Sequence, residues 1–117
     1  MAINSRTKGK QGELEIAHIL KDHGIEARRG QQFSGGPDSP DVVADMPGVH
    51  IEVKRVESFN LRKAMEQAEH DADGKTPVVF QRGNRQRWIT VLYLEDFLRL
   101  YKEARNGRNR APCGRVS

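Results

Sequence analysis

The stretch VHIEVKR, residues 49–55, has the alternating polarity of a β-strand that is buried on one face. Read as a β-strand, it alternates, so that Ile51 and Val53 point to one side while Glu52 and Lys54 point to the other. A carboxylate and an ammonium group therefore share one face of a strand whose other face is apolar. The stretch therefore predicts a strand whose Ile51 and Val53 face packs against a core. The other face presents Glu52 and Lys54, two side chains that could take part in a reaction.

Turn and periodicity signals predict the elements around this strand. Residues 41–45 form a second strand, and the Met46-Pro47-Gly48 turn signal joins the two strands in a predicted hairpin. Further strands are predicted at residues 25–30, 76–81 and 87–94. Helices are predicted over residues 10–23, from Leu61 to Gly74, and from Leu94 through Phe97, Leu98 and Tyr101.

This order of elements predicts an α/β fold in which helices flank a mixed central sheet. We expect one domain over residues 1–104, followed by a basic, disordered tail over residues 105–117. Residues 31–40, QQFSGGPDSP, are rich in turn formers and are predicted to be a mobile loop.

Composition excludes several classes of protein. The chain has 117 residues and no run of about 18 apolar residues, so we expect no membrane span. The N-terminus lacks an apolar signal region, and the single cysteine, Cys113, has no partner for an internal disulfide. These features predict an intracellular, cytoplasmic protein in which Cys113 is an incidental thiol.

The positive charge is clustered. The net charge is +4, and residues 1–104 carry 16 basic and 16 acidic residues, so the last 13 residues hold the whole excess. Within the neutral body, basic residues gather before the first acid, at an adjacent arginine pair, and around a turn: Arg6, Lys8, Lys10, Arg28, Arg29, Arg82, Arg85 and Arg87. Such clusters suit a polyanion, although a solvated turn and a solubilising tail explain them equally well.

The predicted hairpin brings Asp41 close to Glu52 or Val53, although the register is not determined by the sequence. Two neighbouring carboxylates repel each other unless a cation lies between them. Oxygen ligands of this kind, with the backbone carbonyl of Val53 as a further one, suit Mg²⁺ or Mn²⁺. Lys54 beside such a metal would act on a water or on the phosphate, although a surface salt bridge between Glu52 and Lys54 is the simpler alternative.

Two more residues bear on this face. Glu13 precedes Ile16, Ala17 and Leu20 at helical spacing, so it heads the apolar stripe and is predicted to point inward, whereas Glu15 is predicted to face solvent. Glu13 would otherwise be a helix-start residue favoured by the helix dipole. His50 shares the Glu52 face and is assigned a peripheral role at most.

The motifs GKQGELEIA, GGPDSPDVV, IEVKR and MEQAEHD, in this order, resemble the PD-(D/E)xK nuclease superfamily. The resemblance is to its archaeal-type Holliday junction resolvase branch, which also occurs among phage-encoded resolvases, and it covers roughly residues 6–100. It implies a restriction-endonuclease-like fold, a Mg²⁺-dependent DNA endonuclease that leaves 5′-phosphate ends, and a homodimer that acts on branched DNA.

The resemblance also implies the roles of individual residues. The catalytic set would be Glu13, Asp41, Glu52, Lys54 and Gln67. The metal ligands would be Asp41, Glu52 and the carbonyl of Val53, with Glu13 as a further candidate, and Mn²⁺ would substitute for Mg²⁺. The DNA contacts would be Lys8, Lys10, Arg28, Arg29, Ser34, Arg82, Arg85 and Arg87.

Two other functions stay open on the sequence. The first keeps the chemistry and changes the substrate, as in a restriction-like, nicking or repair nuclease. The second is a DNA-binding accessory protein with an inactive site.

Overall fold

The structure is a computed structural model, and it describes residues 5–30 and 41–109 of the chain. The helices and strands of this part follow the order α1 (Ser5–Asp22), β1 (Ala27–Arg29), β2 (Val42–Ala44), β3 (Val49–Arg55), α2 (Leu61–Ala72), β4 (Thr76–Arg82), β5 (Ile89–Val91) and α3 (Leu94–Asn109). None of the helices in these residues is long and apolar enough to cross a membrane.

The central sheet has the strand order β3-β4-β5. Strands β3 and β4 run parallel, with Glu52 opposite Val79, and α2 forms the crossover that a parallel pair requires. Strands β4 and β5 are antiparallel and form a hairpin whose turn carries Arg85 and Arg87. The sheet is therefore mixed and carries helices on its faces, which confirms the predicted α/β fold.

The predicted pairing of β2 with β3 is wrong. Strand β2 instead pairs with β1, with Ala27 opposite Ala44 and Arg29 opposite Val42. A turn does form after β2, since the Val49 N–H donates to the Met46 carbonyl at 3.1 Å. The three residues of β2 form their ladder hydrogen bonds with β1. The segment of residues 41–44 therefore contacts β3 before β2 begins, at Asp41.

The two faces of β3 meet different helices. Ile51 and Val53 pack with Ile16 and Ala17 of α1, while the opposite face lies towards α2, where Met65 and Ala68 pack on Val79. Helix α1 approaches β3 closely at Gly12, where a Cβ atom would lie 2.6 Å from the Cβ of Arg55. Only glycine fits there, and this close approach places the first part of α1 against the strand that carries Glu52.

Helix α3 differs from its prediction in two respects. It continues to Asn109, so residues 105–109 are helical and not part of a disordered tail. Its predicted apolar face exists, with the rings of Phe97 and Tyr101 stacked at 6.4 Å, but that face is exposed rather than part of the core. The predicted boundary of the domain at residue 104 remains a prediction, and residues 110–117 lie outside the described part.

Candidate active site

Asp41 lies directly before β2 and is bonded to the backbone of β3. Its Oδ2 accepts a hydrogen bond from the Val53 N–H at 2.7 Å, and its own N–H donates to the Ile51 carbonyl at 3.2 Å. The Asp41 carbonyl also accepts from Gly30 N–H at 2.8 Å, at the end of β1. The expectation that Asp41 folds back close to Glu52 or Val53 is met at Val53, although β2 pairs with β1 and not with β3.

Glu52 is buried on the α2 side of β3, with 8% of its surface exposed. One carboxylate oxygen, Oε1, lies 3.0 Å from Nε2 of His50. Burial raises the pKa of Glu52, Asp41 raises it further, and the hydrogen bond with His50 opposes both effects. The part of this shift that comes from Asp41 reflects two carboxyl groups near enough for the charge of one to disfavour the charge of the other.

Glu13 points inward from α1, as predicted, and is also 8% exposed. Its Oε1 accepts a 2.6 Å hydrogen bond from Nε of Arg29 in β1. Burial raises the pKa of Glu13, Arg29 lowers it, and the charge of Asp41 raises it. Glu13 therefore lies within electrostatic reach of Asp41, with a paired arginine on its other side.

Lys54 and Gln67 line one small cavity of about 220 Å³ between the end of β3 and α2. Lys54 is partly buried, and Gln67 is exposed. In the described part of the chain no carboxylate forms an ion pair with Lys54, and Glu52 turns to His50 instead. The structure therefore does not contain the surface salt bridge between Glu52 and Lys54 that was the simpler alternative.

The donors fit a hard divalent cation in their chemistry, although they do not form a complete cage. Within residues 5–30 and 41–109, no three histidine, cysteine, aspartate or glutamate side chains converge as a metal site. Asp41 and Glu52 do face each other, and a cation between them would remove the repulsion that raises the pKa of Glu52. Mg²⁺ commonly binds through one or two carboxylates and completes its shell with water and phosphate oxygens.

The predicted DNA-binding residues divide into two groups. Three of them form ion pairs: Lys8 with Glu57 at 3.7 Å, Arg29 with Glu13, and Arg82 with Glu15. Four are exposed and form no ion pair with the rest of the described chain: Lys10, Arg28, Arg85 and Arg87. Ser34 lies outside the described residues.

Glu15 is partly exposed, with 38% of its side chain in solvent, but it also has partners that the prediction of a solvent-facing residue missed. Glu15 accepts hydrogen bonds from Nε and Nη2 of Arg82 at 3.1 and 3.0 Å, and from Nε1 of Trp88 at 3.2 Å. The Arg82 guanidinium lies 5.5 Å from the centre of the Trp88 ring. These partners are 67 and 73 residues away along the chain, so helical spacing could not have identified them.

His50 is the second residue whose place the sequence analysis underestimated. The alternation of β3 put it on the face of Glu52, which is correct, but its 3% exposure and its contact with Glu52 make it part of the site. The sequence feature that could have identified His50 is its spacing of two residues from Glu52, because residues i and i+2 of a strand lie on the same face.

Fold and site together define a nuclease of the restriction-endonuclease-like class, in which an aspartate and an E-x-K pair meet at one strand of a mixed sheet. The model of the archaeal Holliday junction resolvase (Hjc) family matches residues 4–71, which is more than half of the chain. The chain therefore belongs to the archaeal Holliday junction resolvase family. Resolvases of this family are nucleases that depend on a divalent metal.

The fold is similar to that of a solved resolvase. The structure of Archaeoglobus fulgidus Hjc, a Holliday junction resolvase from an archaeal hyperthermophile, aligns with a TM-score of 0.55 and 24% sequence identity. The alignment covers 70% of this chain and 73% of that chain. No curated protein sequence matches the chain.

Proposed function

We propose that this protein is a Mg²⁺-dependent endonuclease that cuts four-way DNA junctions as a homodimer. The observation that carries the proposal is the meeting of Asp41 and Glu52 on β3, beside a lysine that pairs with neither carboxylate. Membership of the resolvase family supplies the class of reaction and the branched substrate.

Asp41, Glu52 and the carbonyl of Val53 would hold the metal, and Mn²⁺ would substitute for Mg²⁺. When bound, the metal lowers the pKa of a water and offsets the charge of the phosphate. The bond from Val53 N–H fixes the orientation of the Asp41 carboxylate relative to β3. Asp41 and Glu52 belong to different segments, so their spacing depends on how the chain before β2 meets β3.

Lys54 would orient the attacking water or stabilise charge that develops on the phosphorus. Its ammonium group is suited to this because it is partly buried and forms no ion pair with the described chain. Gln67 lines the same cavity and would support Lys54 or the water from the α2 side. Attack in line on the phosphodiester would leave a 5′-phosphate.

Glu13 would act through charge in addition to serving as a candidate ligand. It brings a third carboxylate within electrostatic reach of Asp41, and Arg29 balances its charge. Arg29 bonds to Glu13 through Nε, so a contact with DNA would have to use its other N–H groups.

We propose that Lys10, Arg28, Arg85 and Arg87 make the main contacts with the DNA backbone, because they are exposed and form no ion pair with residues 5–30 or 41–109 that would have to break. Lys8 and Arg82 would contribute less, since each already pairs with a carboxylate. The turn that carries Arg85 and Arg87 is held in place. Its Asn84 accepts from Arg55 at 2.7 Å and donates its N–H to Glu57 at 2.7 Å.

The test is cleavage of a synthetic four-way junction, a linear duplex and a plasmid, each with Mg²⁺ and with EDTA. We expect Mg²⁺-dependent cutting of the junction, and its loss in Lys54→Ala. Lys75→Ala is the matched control, because Lys75 is an exposed lysine at the opposite end of the parallel pair.

The other outcomes select other functions. Cutting of linear DNA or plasmid with no preference for the junction would indicate a restriction-like, nicking or repair nuclease. Junction binding with no cleavage under any divalent metal would indicate an accessory protein with an inactive site.

A further inference from the structure

His50 is a buried ionisable side chain at the site that the proposed reaction does not use. It is 3% exposed, and Nε2 lies 3.0 Å from Oε1 of Glu52. Both side chains project from the same face of β3, two residues apart, so the strand itself fixes their separation.

The direction of this hydrogen bond follows from the state of Glu52. An ionised carboxylate can only accept, so when Glu52 is charged, Nε2 of His50 must carry the hydrogen and donate it. The bond then restricts rotation of the Glu52 carboxylate about its last torsion, which is a soft, roughly two-fold torsion in glutamate. The orientation of the carboxylate thus depends on His50.

Packing alone does not explain a histidine at this position. Burying two ionisable groups beside each other costs free energy that an apolar side chain of similar volume would not cost. A leucine would fill the space without this cost, so the N–H group is the part of His50 that needs an explanation.

We propose that His50 is a positioning residue for Glu52, whose Nε2–H group holds the carboxylate in the orientation that lets Glu52 and Asp41 share a divalent cation. This inference rests on the proposed metal site. Removing a residue that hydrogen-bonds to a metal ligand and orients it typically weakens metal binding by about 10- to 100-fold.

The test is direct metal binding without DNA, measured by the loss of the free Mn²⁺ signal in electron paramagnetic resonance. His50→Leu removes the donor and keeps an apolar side chain, while His50→Gln keeps an N–H group at a reach similar to that of Nε2. His70→Leu, at an exposed histidine of α2, is the matched control. Thermal unfolding and junction binding in EDTA are measured on the same samples.

We expect His50→Leu to weaken Mn²⁺ binding about 10- to 100-fold, without loss of folding or of junction binding in EDTA. His50→Gln should recover most of the affinity, and His70→Leu should match the wild type. The Mg²⁺ concentration for half-maximal cleavage should rise in His50→Leu by a similar factor. If His50→Leu does not fold, His50→Asn replaces it, because the shorter amide cannot reach Glu52.

Wild-type Mn²⁺ affinity in His50→Leu would overturn the inference and leave the metal site intact. A loss of affinity that His50→Gln does not recover would also overturn it, since the ring and not its N–H group would then matter. Absence of Mn²⁺ binding by the wild type would overturn the proposed metal site, and the role of His50 with it.

Discussion

At the scale of single residues, each carboxylate of the site forms a hydrogen bond with a different part of the fold. Asp41 accepts from the backbone of β3, Glu52 contacts a side chain of its own strand, and Glu13 accepts from Arg29 of β1. These donors limit the orientations of the carboxylates before any ligand arrives. Such preorganisation is what a catalytic metal site requires of the residues around it.

The raised pKa of Glu52 predicts a pH effect on stability in the metal-free protein. The pKa rises from 4.5 to about 7, mainly because of burial. Between these values the folded protein holds a proton that the unfolded chain has lost, so the stabilisation present below pH 4.5 is lost as the pH rises to about 7. We expect the free energy of unfolding of Glu52→Gln to fall less than that of the wild type as the pH rises through this window, because the glutamine side chain does not titrate.

Urea unfolding in EDTA at several pH values across this window measures the effect. Glu66→Gln, at an exposed glutamate of α2, is the control and should keep the wild-type slope of stability against pH. The same slope in Glu52→Gln and in the wild type would contradict the prediction.

At the scale of elements, Glu15 connects α1 to the β4–β5 hairpin. The carboxylate accepts hydrogen bonds from Arg82 at the end of β4 and from Trp88 just before β5. The neighbouring residue pair of α1, Gly12 and Glu13, faces β3 and the site. Helix α1 is thereby fixed to the sheet at two places, and the hairpin that carries Arg85 and Arg87 is fixed with it.

We predict that Glu15→Gln lowers the free energy of unfolding by about 1–2 kcal/mol, because it removes the charge that Arg82 and Trp88 bond to in a partly buried place. Chemical denaturation measures this value, with Glu103→Gln on the exposed side of α3 as the control. A change in Glu15→Gln no larger than that of the control would mean that these contacts do not stabilise the protein.

Local sequence patterns predicted the elements well and their partners less well. Helical spacing identified Glu13 as an inward-facing residue, and strand alternation put His50 with Glu52, because both depend on neighbours within a few residues. The partners of Glu15 and the pairing of β2 with β1 depend on contacts between distant segments, which periodicity does not encode. The same holds for α3, whose apolar stripe is exposed. Helical spacing identifies such a stripe but not the surface that it packs against.

At the scale of the whole molecule, the described surface has two distinct regions. Four of the exposed basic residues that form no ion pair within the described chain lie on α1, β1 and the β4–β5 turn: Lys10, Arg28, Arg85 and Arg87. On α3, in contrast, large apolar side chains are 45–70% exposed: Leu94, Phe97, Leu98 and Tyr101. The apolar face is in keeping with the proposed homodimer, because a protein seldom leaves such a patch in water without a use for it.

The last prediction concerns the shape of the DNA. The charges of the body balance, and the unpaired basic residues are spread over separate elements, which suits backbone contacts rather than base readout. In a homodimer these contacts and the two sites would be related by a two-fold axis, and a four-way junction has the same symmetry. We therefore expect tighter binding to a junction than to a linear duplex of equal length and sequence at equal salt, with paired, symmetric cuts near the branch point. Competition gel shifts in EDTA measure the binding preference, and mapping of the products in Mg²⁺ measures the positions of the cuts. Equal affinity for both DNAs, with cuts at one sequence whatever the branching, would contradict junction selectivity while leaving the metal nuclease intact.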